Sequence, residues 1–466
     1  MNQEKKHIQN KMGYMPCGPL LLSMSLPMMM SMLVQALYNI VDSVFVSRIS
    51  ENALTAVSLA FPVQILIIAV IGGTGVGINA RLSAKLGERN FEEVNYTAGN
   101  ALTINLIYAA LFVLVGSVIA AFYYRMMTPD PEIRQHGYDY LSVIMICSPA
   151  LIFQITFERL LQSTGKTFYS MISQTVGAIT NIIMDPILIF GLFGLPAMGT
   201  KGAALATVFG QLLACMIGAV SNLKINKEIS FQKKYLRLHA PAVSQIYAVG
   251  IPSIIMQCIG SVMNLGMNKI LLSFTSTAAA VFGVYYKLQS FVFMPVFGLN
   301  NGLVPIIAFN LGARRPDRIR ETLKFGLLYA LSIMLAGTLL FELFPEFLLG
   351  LFNASDHMLS IGVPALRTIA SHFILAGGSI ICISTFQATG HGVLSMWVSI
   401  VRQLAVLLPG AFLLSRLVGL EGVWLAFPLA EIVALSMSLY FMKKYIRPKL
   451  AELEMPASGG SGGPVR

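Results

Sequence analysis

Long apolar runs separated by short polar segments occupy most of this 466-residue chain. A helix needs about 20 consecutive apolar residues to cross a bilayer. Runs of about that length or longer lie at 18–46, 54–79, 96–123, 138–161, 168–193, 200–221, 246–274, 278–309, 322–350, 362–387, 393–417 and 421–442. Several are longer than a bilayer requires, which predicts tilted helices or short extensions into water. The pattern predicts an all-α polytopic membrane protein with twelve transmembrane helices.

The composition agrees with lipid as the main solvent. Apolar residues make up 56% of the chain, charged residues make up 11%, and the mean hydropathy is +0.72. A soluble domain carries about 25% charged residues. This chain therefore has too little polar surface for a water-exposed globule of its size.

The basic residues concentrate on one side of the predicted spans. They crowd the N-terminus, the loop 222–245, the segments 81–89 and 314–324, and the segment 443–449, whereas the alternate loops hold few. Because cytoplasmic loops carry the excess of Lys and Arg, this asymmetry predicts that both termini are cytoplasmic. The net charge of +11 thus follows from topology, and no nucleic-acid partner is expected.

The two halves of the chain match each other at a constant offset. Pro252 lies 225 positions after Pro27, and the same offset pairs polar residues and glycines: Asn39 with Asn264, Gln64 with Gln289, Gly77 with Gly302, Leu86-Gly87 with Leu311-Gly312, Arg89 with Arg314, and Gln162-x-Thr164-Gly165 with Gln387-x-Thr389-Gly390. After a loop difference of five residues, Gly199-x-x-Gly202 pairs with Gly419-x-x-Gly422. Six spans per copy predict two six-helix lobes related by a parallel repeat, with substrate bound near the midplane between them.

This repeat divides the chain into five parts. We expect a cytoplasmic N-terminus at 1–16, an N-lobe at 17–221, a cytoplasmic connector at 222–245, a C-lobe at 246–445 and a C-terminal tail at 446–466. The Gly- and Ser-rich stretch 457–466 has the composition of a flexible or artificial linker.

Ionisable residues inside the predicted spans are functional candidates because a charge in the bilayer is costly. The first half has Asp42, Asp185 and the adjacent Glu158 and Arg159, and the second half has Lys269, Lys287, Arg402 and Glu431. Asn181 lies one helical turn before Asp185, so both side chains share one face. Pro186 has no N–H and leaves the carbonyl of Ile182 free. Together with Asp42 and the hydroxyl of Thr207, these oxygens are the ligands that a sodium ion or a shared proton would need.

Several of these segments resemble the multidrug and toxin extrusion (MATE) family. The motifs are Ser25-Leu-Pro27, Asn39-Ile-Val-Asp42-Ser43-Val-Phe-Val-Ser47, Leu86-Gly87, Asn181-Ile-Ile-Met-Asp185-Pro186-Ile-Leu-Ile-Phe190 and Gly202-Ala-Ala-Leu-Ala-Thr207. The resemblance extends over 17–445 and is greatest to the bacterial type that includes MepA. It implies a twelve-helix, two-lobed antiporter that exports organic, often cationic, drugs in exchange for Na⁺ or H⁺.

The resemblance also assigns roles to residues. It places cation or proton binding on Asp42, Asn181, Asp185 and Thr207, with no cofactor and no metal other than Na⁺. Apart from the resemblance, Asn39, Glu158, Lys269 and Lys287 are weaker candidates for supporting or gating roles, and Pro27 and Pro186 for helix bending. For Glu158 the alternative is a side chain that simply extends toward water. In place of the acids that some branches carry in the seventh and tenth spans, this chain has amides and hydroxyls, including Gln257 and Asn264. A second cation site in the C-lobe is therefore not expected.

Other functions fit the sequence less well. A flippase for lipid-linked precursors, a relative in fold, would suit the basic second half but not the Asn181/Asp185-Pro186 signature. An enzyme is not expected, because no HExxH motif or readable Ser/His/Asp set is present. A GxxxxGK[ST] phosphate loop is also missing, which agrees with ATP-independent transport. We expect a monomeric, multi-pass protein of the plasma (inner) membrane that moves small organic molecules.

Overall fold

The computed structural model describes residues 10–454, apart from the side chain of Ser117, and this part of the chain is almost entirely helical. The helices of the first half are α1 (Lys11–Tyr14), α2 (Cys17–Ser47), α3 (Glu51–Gly87), α4 (Phe91–Met127), α5 (Pro131–Ile146), α6 (Ser148–Ser163), α7 (Thr167–Phe190) and α8 (Gly199–Lys224). Those of the second half are α9 (Ala240–Leu272), α10 (Ser276–Gly312), α11 (Pro316–Leu343), α12 (Pro345–Gly350), α13 (Asp356–Ala370), α14 (Phe373–Ala388), α15 (Gly392–Ile400), α16 (Leu408–Val418), α17 (Leu420–Phe441) and α18 (Arg447–Glu454). Short 3₁₀ turns lie at Leu192–Gly194 and Lys233–Leu236, and π-helical turns at Val401–Leu407 and Met442–Ile446.

Twelve spans can be assigned within residues 10–454. Ten helical stretches are each long and apolar enough to cross a bilayer, and two further spans consist of helix pairs that bend sharply. The pairs are α5 with α6, bent by 46°, and α13 with α14, bent by 45°. The predicted all-helical architecture of twelve spans is confirmed.

Some boundaries differ from those predicted. The connector between the lobes is shorter than 222–245, since α8 continues to Lys224 and α9 begins at Ala240. The ninth span ends at Leu343, not at 350, because Pro345 starts the short separate helix α12. The segment after residue 446 begins as helix α18, which anchors to the C-lobe where Lys449 donates to the carbonyl of Thr389 at 2.9 Å. The predicted linker at 457–466 lies outside the described residues.

The internal repeat is visible in the backbone. The bend of the fourth span falls at Cys147, and that of the tenth span falls at His372, which is 225 positions later. The turns after these spans both contain a glycine with positive φ, +83° at Gly165 and +82° at Gly390. Arg89 and Arg314, another repeat pair, share φ values of +59° and +54°. Equivalent turns and breaks therefore recur in the two lobes.

The lobes meet where α2 packs on α10, α3 packs on α9, and α3 crosses α10. Glycine allows the closest approach: a Cβ on Gly87 would lie 1.9 Å from the Phe309 carbonyl, and one on Gly312 would lie 1.9 Å from the Ala84 carbonyl. Small residues at such crossings let helix backbones touch. This seam lies at the end of the spans that the charge distribution assigns to the cytoplasm.

The N-terminal segment reinforces the seam by bonding to both lobes. The amide of Asn10 donates to the Thr164 carbonyl of the N-lobe at 2.9 Å. The carbonyl of Met12 accepts from Asn310 at 3.3 Å and from Arg318 at 3.1 Å, both in the C-lobe. Residues 10–15 thus form a strap across the joined ends of the lobes.

Candidate functional site

The predicted acidic site forms inside the N-lobe from α2, α7 and α8. Asp185 is fully buried on α7, and the amide nitrogen of Asn181 lies 3.4 Å from its Oδ1. The same amide nitrogen lies 3.3 Å from Thr207 Oγ1 on α8. Asp42 of α2 is close enough to Asp185 for their charges to interact. The structure therefore places the four residues with the predicted cation-binding role in one region.

Local sequence explains this convergence. Asn181 and Asp185 are one turn apart on the buried face of α7. Helix α8 approaches that face closely because it presents small residues: a Cβ on Gly202 would be 2.5 Å from the Leu188 carbonyl, and one on Gly210 would be 2.5 Å from the Gly177 carbonyl. Thr207 lies between these two glycines, so its hydroxyl is held against Asn181.

Three oxygen atoms of this site have no hydrogen-bond donor among the described residues. They are Asp42 Oδ1, Asn181 Oδ1 and Asp185 Oδ2, and all three are buried. Buried polar atoms in proteins are nearly always partnered. Two carboxylates, an amide oxygen and a hydroxyl are hard ligands suited to an alkali cation or a proton. Among residues 10–454, no group of three or more His, Cys, Asp or Glu side chains could hold a metal ion.

Three further polar residues surround the acids, and sequence reasoning missed them. Tyr38 and Tyr140 are both within electrostatic range of Asp42 and Asp185. Gln64 of α3 donates to the Tyr140 hydroxyl at 3.0 Å. One signal for Gln64 was available, because it has a repeat mate in Gln289. Nothing in the sequence distinguishes Tyr38 or Tyr140 from the other tyrosines in spans.

The weaker N-lobe candidates differ in their surroundings. Asn39 is exposed, and the hydrogen bond it receives is from Ser43 to its backbone carbonyl. Glu158 is 2% exposed and accepts from the amides of Gln154 and Gln174, so its carboxylate does not reach toward water. Pro27 and Pro186 each lie within a continuous helix, α2 and α7.

The C-lobe candidates do not join the acidic site. Among the described residues, neither Lys269 nor Lys287 forms an ion pair. Lys269 shares one face of α9 with the exposed Val262, Leu265 and Leu272. The Lys287 ammonium lies 6.0 Å from the centroid of the Phe352 ring. The buried acid of this lobe, Glu431, pairs with Arg402 at 3.4 Å.

Known proteins resemble this chain over nearly its full length. The MatE family profile matches residues 27–187 and again 252–413, and the two starting points differ by the repeat offset. A "FAD transporter" of Shewanella oneidensis is 26% identical over 434 residues, which cover 92% of this chain and 95% of that protein. The "Multidrug export protein MepA" of Staphylococcus haemolyticus is 26% identical over 423 residues, or 90% and 91% of the two chains.

Solved structures confirm the fold. A multidrug resistance MATE family transporter in an outward-facing conformation superposes with a TM-score of 0.89 at 24% identity, covering 97% of this chain and all of that one. The family profile matches in both lobes and accounts for more than half of the sequence. The chain is a polytopic membrane protein that belongs to the MatE family, the multidrug and toxin extrusion transporters.

Proposed function

We propose that this protein is a secondary active antiporter that exports organic, cationic drugs or toxins in exchange for H⁺ or Na⁺. The observation that carries the proposal is the set of unpartnered oxygens on Asp42, Asn181 and Asp185, since a bound cation or proton would satisfy them. The name of the MepA relative supports drug export. No cofactor is needed, because the ion gradient supplies the driving force.

The placement of the two acids suggests how an ion would act on the fold. Asp42 is on α2, which packs against α7 of its own lobe and against α10 of the other lobe. Neutralising Asp42 and Asp185 removes their repulsion and favours closer packing of α2 on α7. Because α2 also contributes to the seam, ion binding in the N-lobe can bias the balance between two arrangements of the lobes. That balance is what coupled transport requires.

The proposal is tested by uptake into inverted membrane vesicles under an imposed proton or sodium gradient. Ethidium, a fluorescent organic cation, should accumulate only when a gradient is present, and Asp42→Asn and Asp185→Asn should each remove that accumulation. Transport that continues in both variants would place coupling elsewhere. Gradient-independent transfer of a labelled lipid-linked precursor, with no uptake of the dye, would favour the flippase.

A dinucleotide is a second candidate cargo. The relative named as a FAD transporter covers 92% of this chain. Arg159 has its guanidinium at the lobe interface, where Nη1 donates to Asn301 of α10 at 3.0 Å, and it forms no ion pair among the described residues. Guanidinium groups bind phosphate strongly. FAD is added outside the same inverted vesicles under an imposed gradient, and its uptake is measured. Uptake would show that the protein carries this anionic cargo.

We also propose that the protein lies in the plasma (inner) membrane with both termini in the cytoplasm. The excess of basic residues on that side supports this orientation. A cysteine introduced at Lys233 should react with an impermeant thiol reagent in inverted vesicles and not in intact cells. Reaction with reagent added outside intact cells would show that the proposed topology is inverted.

A further inference from the structure

A buried carboxylate in the N-lobe lacks a compensating charge. Glu158 of α6 is 2% exposed. It takes part in none of the ion pairs found among residues 10–454. Arg159 follows it directly, but the guanidinium is directed at Gln162 and at Asn301, with bonds of 2.9 Å and 3.0 Å. An ionisable residue inside a span that is not paired is a functional candidate.

Two glutamines enclose this carboxylate. Gln154, one turn earlier on α6, donates from Nε2 to Glu158 Oε1 at 3.0 Å. Gln174 of α7 donates from Nε2 to Glu158 Oε2 at 2.9 Å. As a result the carbonyl oxygens of both amides are buried and have no donor within residues 10–454. A buried polar atom without a partner destabilises the folded state.

A proton on Glu158 would satisfy part of the unmet hydrogen bonding around this carboxylate. The neutral acid has one O–H donor and can also accept. It can donate to the carbonyl of one glutamine whose amide has rotated, while the other glutamine keeps its present bond. Rotation of a terminal amide is easy because that torsion has broad minima. Protonation would thus remove a buried charge and give one unpartnered carbonyl a donor.

The surroundings contain few other ionisable groups. From its own helix Arg159 acts on Glu158, and from α8 the thiol of Cys215 faces it. Gln174 lies on the same face of α7 as Asn181 and Asp185. It precedes Asp185 by eleven residues, or about 16 Å along the helix axis. The enclosed carboxylate is therefore separate from the acidic site described above.

We propose that Glu158, Gln154 and Gln174 form a second proton-binding site in the N-lobe, nearer the seam than Asp42 and Asp185. The position of this site connects its protonation to the arrangement of the two lobes. Arg159 joins the N-lobe to Asn301 of the C-lobe, and the charge on the neighbouring Glu158 sets the electrostatic environment of that bond. Proton binding to Glu158 would then be linked to opening and closing of the seam.

The test is infrared difference spectroscopy of the full chain in liposomes between acidic and alkaline pH. The wild-type protein should show a carbonyl stretch of a protonated carboxyl that Glu158→Gln lacks and that Asp42→Asn and Asp185→Asn retain. Glu158→Gln places three carboxamides together, which can bond to one another, so it should fold. Gln174→Leu removes one amide donor and should change the pH at which the band appears.

Glu431→Gln is the matched control, since it removes a buried acid that already has a basic partner, and it should leave the band intact. A band that persists in Glu158→Gln would overturn the assignment. So would a Glu158 that stays ionised at every pH while added Na⁺ alters its carboxylate stretch. The result is independent of the antiport proposal, because loss of coupling in Asp42→Asn leaves the Glu158 band unchanged.

Discussion

The two lobes have equivalent backbone turns and helix breaks, but their buried ionisable groups differ. Among the described residues, the buried acids Asp185 and Glu158 of the N-lobe have no basic partner, and buried oxygens around them lack donors. In the C-lobe the buried acid Glu431 pairs with Arg402 through Oε2, although its Oε1 also has no donor among the described residues. The space near that pair is filled by rings in mutual contact: Phe282, Tyr285, Phe293, Phe341, His372, Phe373 and Phe427.

This difference shows that duplication preserved turns and breaks while the ionisable groups diverged. Gly165 and Gly390 retain the same positive φ, because the turn between two adjacent spans requires it in both copies. Asp42 has no such constraint, and its repeat mate in the C-lobe is Met267, which is fully buried. We therefore propose that the N-lobe carries the ion chemistry and that the C-lobe is the partner against which it moves.

The strongest test of this contrast compares the acids of the two lobes. Asp185→Asn should reduce gradient-driven export to background, because it removes a charge that the coupling ion needs. The double variant Arg402→Met/Glu431→Leu should keep export, since replacing a buried ion pair by apolar residues of similar volume is often neutral. Vesicle uptake measures both. Loss of coupling in the double variant would contradict a passive C-lobe.

The same residues can be compared for stability. Glu431→Leu alone leaves Arg402 without its partner and should lower the free energy of unfolding by about 3–5 kcal/mol. Asp185→Asn deprives no base of a partner and should cost far less. Thermal unfolding in detergent ranks the variants by stability. The double variant Arg402→Met/Glu431→Leu is the control. Equal losses would mean that both acids are structural.

The seam offers a test in which the lobes should behave alike. Gly87→Val and Gly312→Val each add a side chain where the opposing carbonyl lies 1.9 Å from the Cβ position. Each should lower the population of the closed seam at least tenfold, or about 1.4 kcal/mol. Spin-label distances across the seam report this population, with Gly283→Ala, which meets open space, as the control. A strong asymmetry would show that the repeat is not preserved at the contact.

The prolines of α2 and α9 separate coupling from architecture. Pro27 weakens the helix that bears Asp42, whereas Pro252 occupies the equivalent place in a helix without an acid. Pro27→Ala should retain drug binding and lose several-fold in gradient-driven transport, and Pro252→Ala should be milder. Binding and transport are measured on the same preparations. Similar losses would leave both prolines as static features of the fold.

The smallest effect is expected at the exposed contact between α18 and α11 of the C-lobe. A hydrogen bond from Arg320 to Glu454 holds the pKa of Glu454 below its usual value and joins α18 to α11. This contact stabilises the folded state above the unfolded pKa of the carboxyl and is lost as pH falls through the lowered value. Because the pair is exposed, Glu454→Gln should scarcely change the melting temperature at neutral pH. A clear drop would show that α18 matters more to the C-lobe than its exposure suggests.

The twelve spans, the duplication and the family could all be predicted from the sequence alone. The length of an apolar run and a constant offset between matching residues are properties of the linear chain. The pairing of Asn181 with Asp185 was also predictable, because helical periodicity makes positions i and i+4 neighbours. The acidic site remained a prediction about residue types until α2, α7 and α8 were placed together.

Only the tertiary structure decided which side chains from distant segments lie near one another. Tyr140 comes from the span bent at Cys147, and packing of helices that are far apart in sequence brings it within electrostatic range of Asp42. Glu158 could have extended toward water, but Gln174 reaches it from another helix and encloses it. A buried charge is favourable or costly according to the groups around it, and distant segments supply those groups. Hydrophobic patterning determined where the helices lie, whereas their packing determined which buried polar atoms lack partners.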